Sequence, residues 1–158
     1  MKENPMGKND IITAIRAQLG ISTRVSESTS DRRAYLDIPA ARLEASSRVM
    51  LDEFGARFQI ATAVDTEAGF EVLYHWALDE NDCVVTFRIL LDHSSPELDS
   101  IALMCPAAEW IEREMWELMG IQFNGHPDMR HLLLADDWPE GNYPMRKNST
   151  RKDHGVTS

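Results

Sequence analysis

Apolar residues recur at helical spacing in three stretches of the chain. Alternation, or runs of β-branched and aromatic residues, marks four others. In "DIITAIRAQLG", Ile11, Ile12, Ile15 and Leu19 fall on one helical stripe, with Asp10 placed to cap it and Gly20 to end it. Residues 1–9 before it read as a flexible tail. The polar, Ser/Thr-rich "ISTRVSESTSD" predicts a loop. "RRAYLDI" alternates Ala34, Leu36 and Ile38 against Arg33, Tyr35 and Asp37, the pattern of a half-buried strand. Pro39 suits the first turn of a second helix, whose face carries Leu43, Met50 and Phe54 and whose end falls at Gly55.

The strongest strand pattern follows. "RFQIATAV", "FEVLYHWAL" and "CVVTFRILL" are separated by "DTEAG" and "DEND", and together they predict a three-strand meander. In the middle run Phe70, Val72, Tyr74, Trp76 and Leu78 share the face expected to meet helices. "DHSSPELDS" reads as a loop, with Ser100 placed to cap the short turn "IALM". Pro106 opens a third helix that Gly120 ends. Its expected apolar stripe is Ala107, Trp110, Ile111, Met115, Leu118 and Met119. Glu109, Arg113 and Glu117 lie on another face at i, i+4 spacing, where opposite charges support one another.

Beyond "IQFNG", the residues "DMRHLLL" predict a last short helical piece after His126 and Pro127. Pro139, Gly141 and Pro144 then break any long element, so the remainder reads as an extended arm. The order describes an α+β fold: a small mixed sheet with a three-strand meander, helices layered on one face, and an extended C-terminal arm. The expected divisions are a tail over 1–9, a domain over 10–125 and an arm over 126–158.

Charge narrows the partners. Sixteen Lys and Arg against 26 Asp and Glu leave a net charge of −10, the wrong sign for neutralising nucleic-acid phosphates or for adhering to anionic lipid. The basic residues are unevenly spread, with Arg146, Lys147, Arg151 and Lys152 near the end of the chain. Cys83 and Cys105 are distant in sequence and no CxxC is present, which argues against thiolate-bound zinc or iron–sulfur clusters. "MKENPMGKND" has no apolar core of a signal peptide, and no apolar run reaches the roughly 20 residues that span a bilayer. A cytosolic protein is expected.

Recognisable chemistry is sparse. His126 and His131 stand five apart, about 140° around a helix, whereas helical metal pairs sit three or four apart. Glu109, Glu112 and Glu117 could act as acid or base only in a cleft that shifts a pKa. GxSxG, GxGxxG and GxxxxGK[ST] are all missing. No cofactor is expected, and no catalytic or metal residue is assigned. A charged, Trp-bearing helix followed by an arm suits protein–protein contact, where Trp and Arg anchor interfaces.

One motif is more specific. Glu112-Arg113-Glu114 is followed by the acid Glu117, the apolar pair Leu118 and Met119, then His126, Arg130, and the aliphatic pair Leu132 and Leu133. In this pattern residues 106–147 resemble the 30-kDa subunit family of respiratory NADH dehydrogenase, the enzyme also called NADH-quinone oxidoreductase. The stretches Asp136-Asp137-Trp138-Pro139 and Tyr143-Pro144-Met145-Arg146-Lys147 are similar to those of relatives in energy-converting nickel–iron hydrogenases. Membership of either kind of complex stays open.

The resemblance implies a peripheral-arm subunit with no redox centre, docked on the large catalytic subunit. It would lie on the cytoplasmic side, peripheral to the inner face of the cell membrane. Its partner-interface residues would be Glu112, Arg113, Glu114, Glu117, His126 and Arg130, with Trp138, Tyr143 and Arg146 anchoring the arm. The alternatives are a stand-alone acid–base enzyme using Glu112, Glu114 and His126, or a transient assembly factor.

Overall fold

Phe70, Val72, Tyr74 and Trp76 are all fully buried, while Glu71, Leu73 and His75 between them are half-buried. This contrast sets the architecture, because burying each such aromatic is worth roughly 1.5–3 kcal/mol or more. A computed structural model describes residues 7–20, 24–26 and 32–147. It contains α1 (Lys8–Leu19), β1 (Arg24–Ser26), β2 (Arg33–Asp37), α2 (Leu43–Asp52), β3 (Arg57–Thr66), β4 (Gly69–Leu78) and β5 (Cys83–Leu91). β6 (Glu97–Asp99), α3 (Glu109–Met119) and β7 (Gln122–Asn124) follow.

The five-stranded sheet has the order β1-β2-β5-β4-β3. β3, β4 and β5 form the expected antiparallel meander. β2 runs parallel to β5, so the sheet is mixed. The helix between β2 and the meander makes this possible, since a parallel pair needs a crossover. Phe87, Ile89, Leu36 and Ala61 complete the buried face beside the β4 aromatics, together with Ile15, Leu43 and Met50 from the helices. The expected α+β class and meander are found.

Several local expectations change. α1 begins at Lys8 with Gly7 as its N-cap, so Asp10 lies inside the first turn. The Asp10 N–H already donates to the Gly7 carbonyl at 3.0 Å, and the N-cap position itself, a glycine, has no side-chain capping bond. The stretch expected to be all loop holds β1, a three-residue edge strand pairing with β2; residues 21–23 and 27–31 lie outside the described residues. β6, inside another expected loop, pairs in parallel with β7. Each of these two strands has a single buried apolar residue, Leu98 or Phe123, too short a run to show a period.

The expected helical piece "DMRHLLL" is not a helix. Its backbone groups are bonded by side chains of α3 instead, as described below. The second helix is shorter than expected. A 3-10 turn at Ala40–Arg42 precedes α2, and the Ala56 N–H closes its end on the Met50 carbonyl at 2.8 Å.

Candidate functional site

α3 departs from its expected stripe. Ala107 is exposed and Trp110 is 67% exposed, yet Glu112, Arg113 and Glu117 retain only 0%, 5% and 3% of their accessible surface. The three charges are not paired with each other, which corrects the expectation that Glu109, Arg113 and Glu117 support one another along the helix. Burying an unpaired charge costs several kcal/mol, so each must find partners elsewhere.

Glu112 finds them inside the domain. Its carboxylate accepts from the Tyr74 hydroxyl at 3.1 Å, from the Ile101 N–H at 3.1 Å and from the Ser100 hydroxyl. Ser100 caps the following turn, accepting the Ala102 N–H at 3.1 Å. Burial pushes the Glu112 carboxyl up, against the pull of those hydrogen bonds. Burial, and then the neighbouring Glu112, raise the Tyr74 hydroxyl well above its usual range. This group ties α3 to β4 and to the turn after β6.

Arg113 and Glu117 hold the chain beyond β7. Their i, i+4 spacing stacks them on one side of α3, about one turn apart. Arg113 donates to the carbonyls of Arg130 at 3.0 Å and His131 at 2.7 Å. Glu117 accepts the backbone N–H groups of Leu132 at 3.0 Å, Leu133 at 2.7 Å and Leu134 at 3.3 Å, and meets His131 Nδ1 at 3.2 Å. One residue takes the carbonyls and the next takes the amides of five successive residues. Helical bonds within "DMRHLLL" are thereby replaced. Burial raises the Glu117 carboxyl, but the three amides and His131 outweigh it, and the net direction is downward.

The end of α3 makes a third anchorage. Gly120 adopts φ 72° and its N–H donates to the Trp116 carbonyl at 2.8 Å. The two preceding carbonyls are taken by the arm: the Met145 N–H donates to Leu118 at 3.0 Å and Arg146 Nε to Met119 at 2.7 Å. The Arg146 guanidinium stands 4.5 Å from the Tyr143 ring centre and 5.0 Å from that of Phe70. The Lys147 N–H donates to Asp65 at 2.9 Å, at the end of β3.

His126 sits between Glu109, whose carbonyl is 3.0 Å from Nε2, and the Asp128 N–H, 3.1 Å from Nδ1. Both bonds are satisfied when Nε2 carries the proton. Arg130 is exposed and paired with Asp128 at 2.9 Å. Trp138 Nε1 donates to the Asn142 carbonyl at 2.8 Å. Arg113, Glu117, Tyr143 and Arg146 thus hold the arm along α3 from its middle to its C-terminal end. Glu112 faces the domain interior, Glu114 faces a groove beside Trp110, and Trp138 lines a pocket with Trp116, Glu117, His131 and Tyr143. Glu112 and Glu114 therefore have different surroundings, and His126, close enough to favour the Glu112 charge, has both ring nitrogens on backbone groups.

Participants absent from the expected site include Tyr74, Ser100, Phe70, His131, Asp65 and Gly120. A Cβ on Gly120 would lie 2.5 Å from the Tyr143 ring, a closeness that turn chemistry alone does not reveal. Among the described residues, no group of three or more His, Cys, Asp or Glu is placed to hold a metal ion, and no helix is long and apolar enough to cross a membrane.

Known proteins resemble this chain in sequence and in fold. The C/D polypeptide of NADH-quinone oxidoreductase from Methylococcus capsulatus is 32% identical over 151 residues, covering 87% of this chain and 25% of that protein. Formate hydrogenlyase subunit 5 of Escherichia coli is 45% identical over 67 residues, covering 42% of this chain and 12% of that protein. The chain therefore spans a quarter or less of these relatives. A chain of the membrane-bound sulfane sulfur reductase, an archaeal respiratory membrane complex, has the same fold. Its TM-score is 0.78 at 23% identity, with 91% of this chain and 86% of that one covered. The model of the family described as the 30-kDa subunit of respiratory-chain NADH dehydrogenase matches residues 36–154, three quarters of the sequence, and the chain belongs to that family.

Proposed function

We propose that this chain is a non-catalytic peripheral-arm subunit of a complex I-like NADH-quinone oxidoreductase or an energy-converting hydrogenase. It docks on the large catalytic subunit and supports electron transfer coupled to ion translocation. In this reading it lies on the cytoplasmic face of the cell membrane and brings no cofactor of its own.

The observation that carries the reading is the arm. From Gly125 to Lys147 the chain has neither helix nor strand, yet α3 holds it in one shape through buried charges. Ordered loops beyond about 12–15 residues are uncommon and usually functional. The relatives add support, since both curated proteins carry the matching segment within a much longer chain. A domain fused to its neighbour in one protein is a natural docking partner in another. In this reading Trp138, Tyr143, Arg146, His126, Arg130 and Glu114 meet the partner. Glu112, Arg113 and Glu117 fix the elements that present them.

The test is co-purification of the large subunit with a tagged chain. Arg113→Ala and removal of residues 136–158 should each deplete the large subunit. Retention in both variants would overturn the reading. Turnover by the isolated chain would favour the stand-alone enzyme, and loss of the chain from the mature complex would favour an assembly factor.

A further inference from the structure

A second surface lies beside the arm. Phe58 and Ile60 of β3, Trp110 and Ile111 of α3, and Leu132 and Leu133 of the arm enclose an apolar groove of about 440 Å³. Three of the large exposed apolar side chains among the described residues stand on it: Trp110, Leu133 (63% exposed) and Ile60 (46%). A contiguous exposed apolar patch centred on Trp is the composition of a binding hot spot, and isolated surface leucines are not.

The charges around the groove are one-sided. Glu114 is the sole charged residue on its wall, half-buried and with no hydrogen bond or ion pair among the described residues. The neighbouring cations are engaged elsewhere: Arg113 on the arm carbonyls, Arg130 on Asp128, and Arg57 on Asp79 through two bonds. A half-buried carboxylate beside apolar walls favours an incoming cation. A second copy of this chain is disfavoured, because it would bring two chains of net charge −10 together and the groove wall itself offers no cation for Glu114.

The backbone selects the form of the occupant. β3 is an edge strand, open to strand addition in principle. Its register shifts between Phe58 and Ile60, at the groove itself, so a bulge interrupts the edge there. An added strand would lose its ladder at that point, whereas a helix inserts side chains and needs no ladder.

We infer that this groove receives an amphipathic helix of a partner subunit, apolar toward Trp110, Ile60 and Leu133, with a lysine or arginine opposite Glu114. The inference rests on the reading that the chain works inside an assembly. It assigns a contact separate from the α3–arm anchorages.

The experiment places a photoreactive phenylalanine derivative at position 110 of the full-length chain in the intact complex. Glu114→Lys and Glu114→Gln are compared for retention of the complex at low and high salt. The expected result is a cross-link to an apolar helical residue of another subunit, with a basic residue within one turn. Glu114→Lys should weaken retention at least tenfold, and Glu114→Gln less. A wild-type chain that enters no complex overturns both this inference and the docking function. A complex that assembles while position 110 gives no cross-link, or gives one only to a second copy of this chain or to an added strand, overturns the groove alone. Unchanged retention by Glu114→Lys does the same.

Discussion

Replacing Glu117 by Gln keeps the side chain's shape and removes one acceptor and the charge. The carboxylate is fully enclosed, with Oε1 facing the Leu133 N–H and Oε2 facing the Leu132 and Leu134 N–H groups and His131. A glutamine oxygen can keep the Oε2 position, but its NH2 then points at the Leu133 N–H, donor against donor. Hydrogen bonds to a charged group are worth roughly 1.5–3 kcal/mol each, and about half that when neutral. Losing one and weakening three, with water repairing part of the loss as the arm opens, gives about 3 kcal/mol. That corresponds to roughly a hundredfold greater opening of residues 130–134. Amide hydrogen exchange measures it directly. The N–H groups of Leu132, Leu133 and Leu134 should exchange roughly a hundredfold faster, with β4 and β5 unaffected. Unchanged protection at these three amides would refute the assignment. Loss of protection spread evenly over β4 and β5 would refute it too, by showing that Glu117 supports the whole fold rather than the arm.

Glu112→Gln should behave oppositely although it lies in the same motif. The amide oxygen can serve Tyr74 and Ile101 while the NH2 donates to Ser100, and the buried charge disappears. The Glu112 carboxyl is raised by burial, so the wild-type chain loses stability as pH climbs from the ordinary carboxyl value, about 4.3, through the folded value. In urea titrations across that window the Gln variant should lack this loss. For Glu117 the sign reverses: its folded value is lowered, so its contribution is complete above about pH 4.3 and is lost as pH falls through the folded value. Acidification should release the arm, seen as a change in Trp116 and Trp138 fluorescence that Glu117→Gln lacks. Gly120→Ala places a Cβ 2.5 Å from the Tyr143 ring and 2.7 Å from Arg146 Nη2, at a φ of 72°. It should cost about 1–3 kcal/mol and expose the arm to protease before the core melts.

The long-period features of this molecule were legible in its sequence. Ten-residue strands with aromatic alternation, and the third helix ending at Gly120, announce themselves because one buried face repeats several times, although Pro106 opens a 3-10 turn and α3 itself starts at Glu109. β6 and β7 did not, since a single buried Leu98 or Phe123 carries no period and their pairing joins segments more than 20 residues apart. α3 was misjudged for a related reason. Apolar pattern placed Trp110 on the buried stripe and the charges on a face of their own, supporting one another, but burial here follows hydrogen-bond supply. Arg113 and Glu117 are enclosed because the backbone of residues 130–134 comes to them. Nothing local to α3 reveals that. The spacing of Arg113 and Glu117 was visible, as was the Gly-His-Pro corner beyond them. Their connection is tertiary.

The use of charge rather than apolar packing beneath the arm bears on what the arm does. Enclosing Arg113 and Glu117 costs several kcal/mol in lost hydration, and well-packed apolar residues would hold two elements together at least as firmly. Apolar residues would not read individual peptide groups. The guanidinium and the carboxylate bind carbonyls and amides of five successive residues, so lifting the arm off α3 would leave two buried charges unmatched. What the arrangement secures is the backbone shape of the arm against α3. Ordering an irregular segment costs roughly 1–2 kcal/mol per residue in backbone entropy alone. In the proposed docking role, an arm fixed at folding does not charge that cost to the binding step. Substitutions at Arg113 and Glu117 should therefore weaken assembly more than they lower the stability of the sheet. Tm and partner affinity, measured on the same variants, should separate.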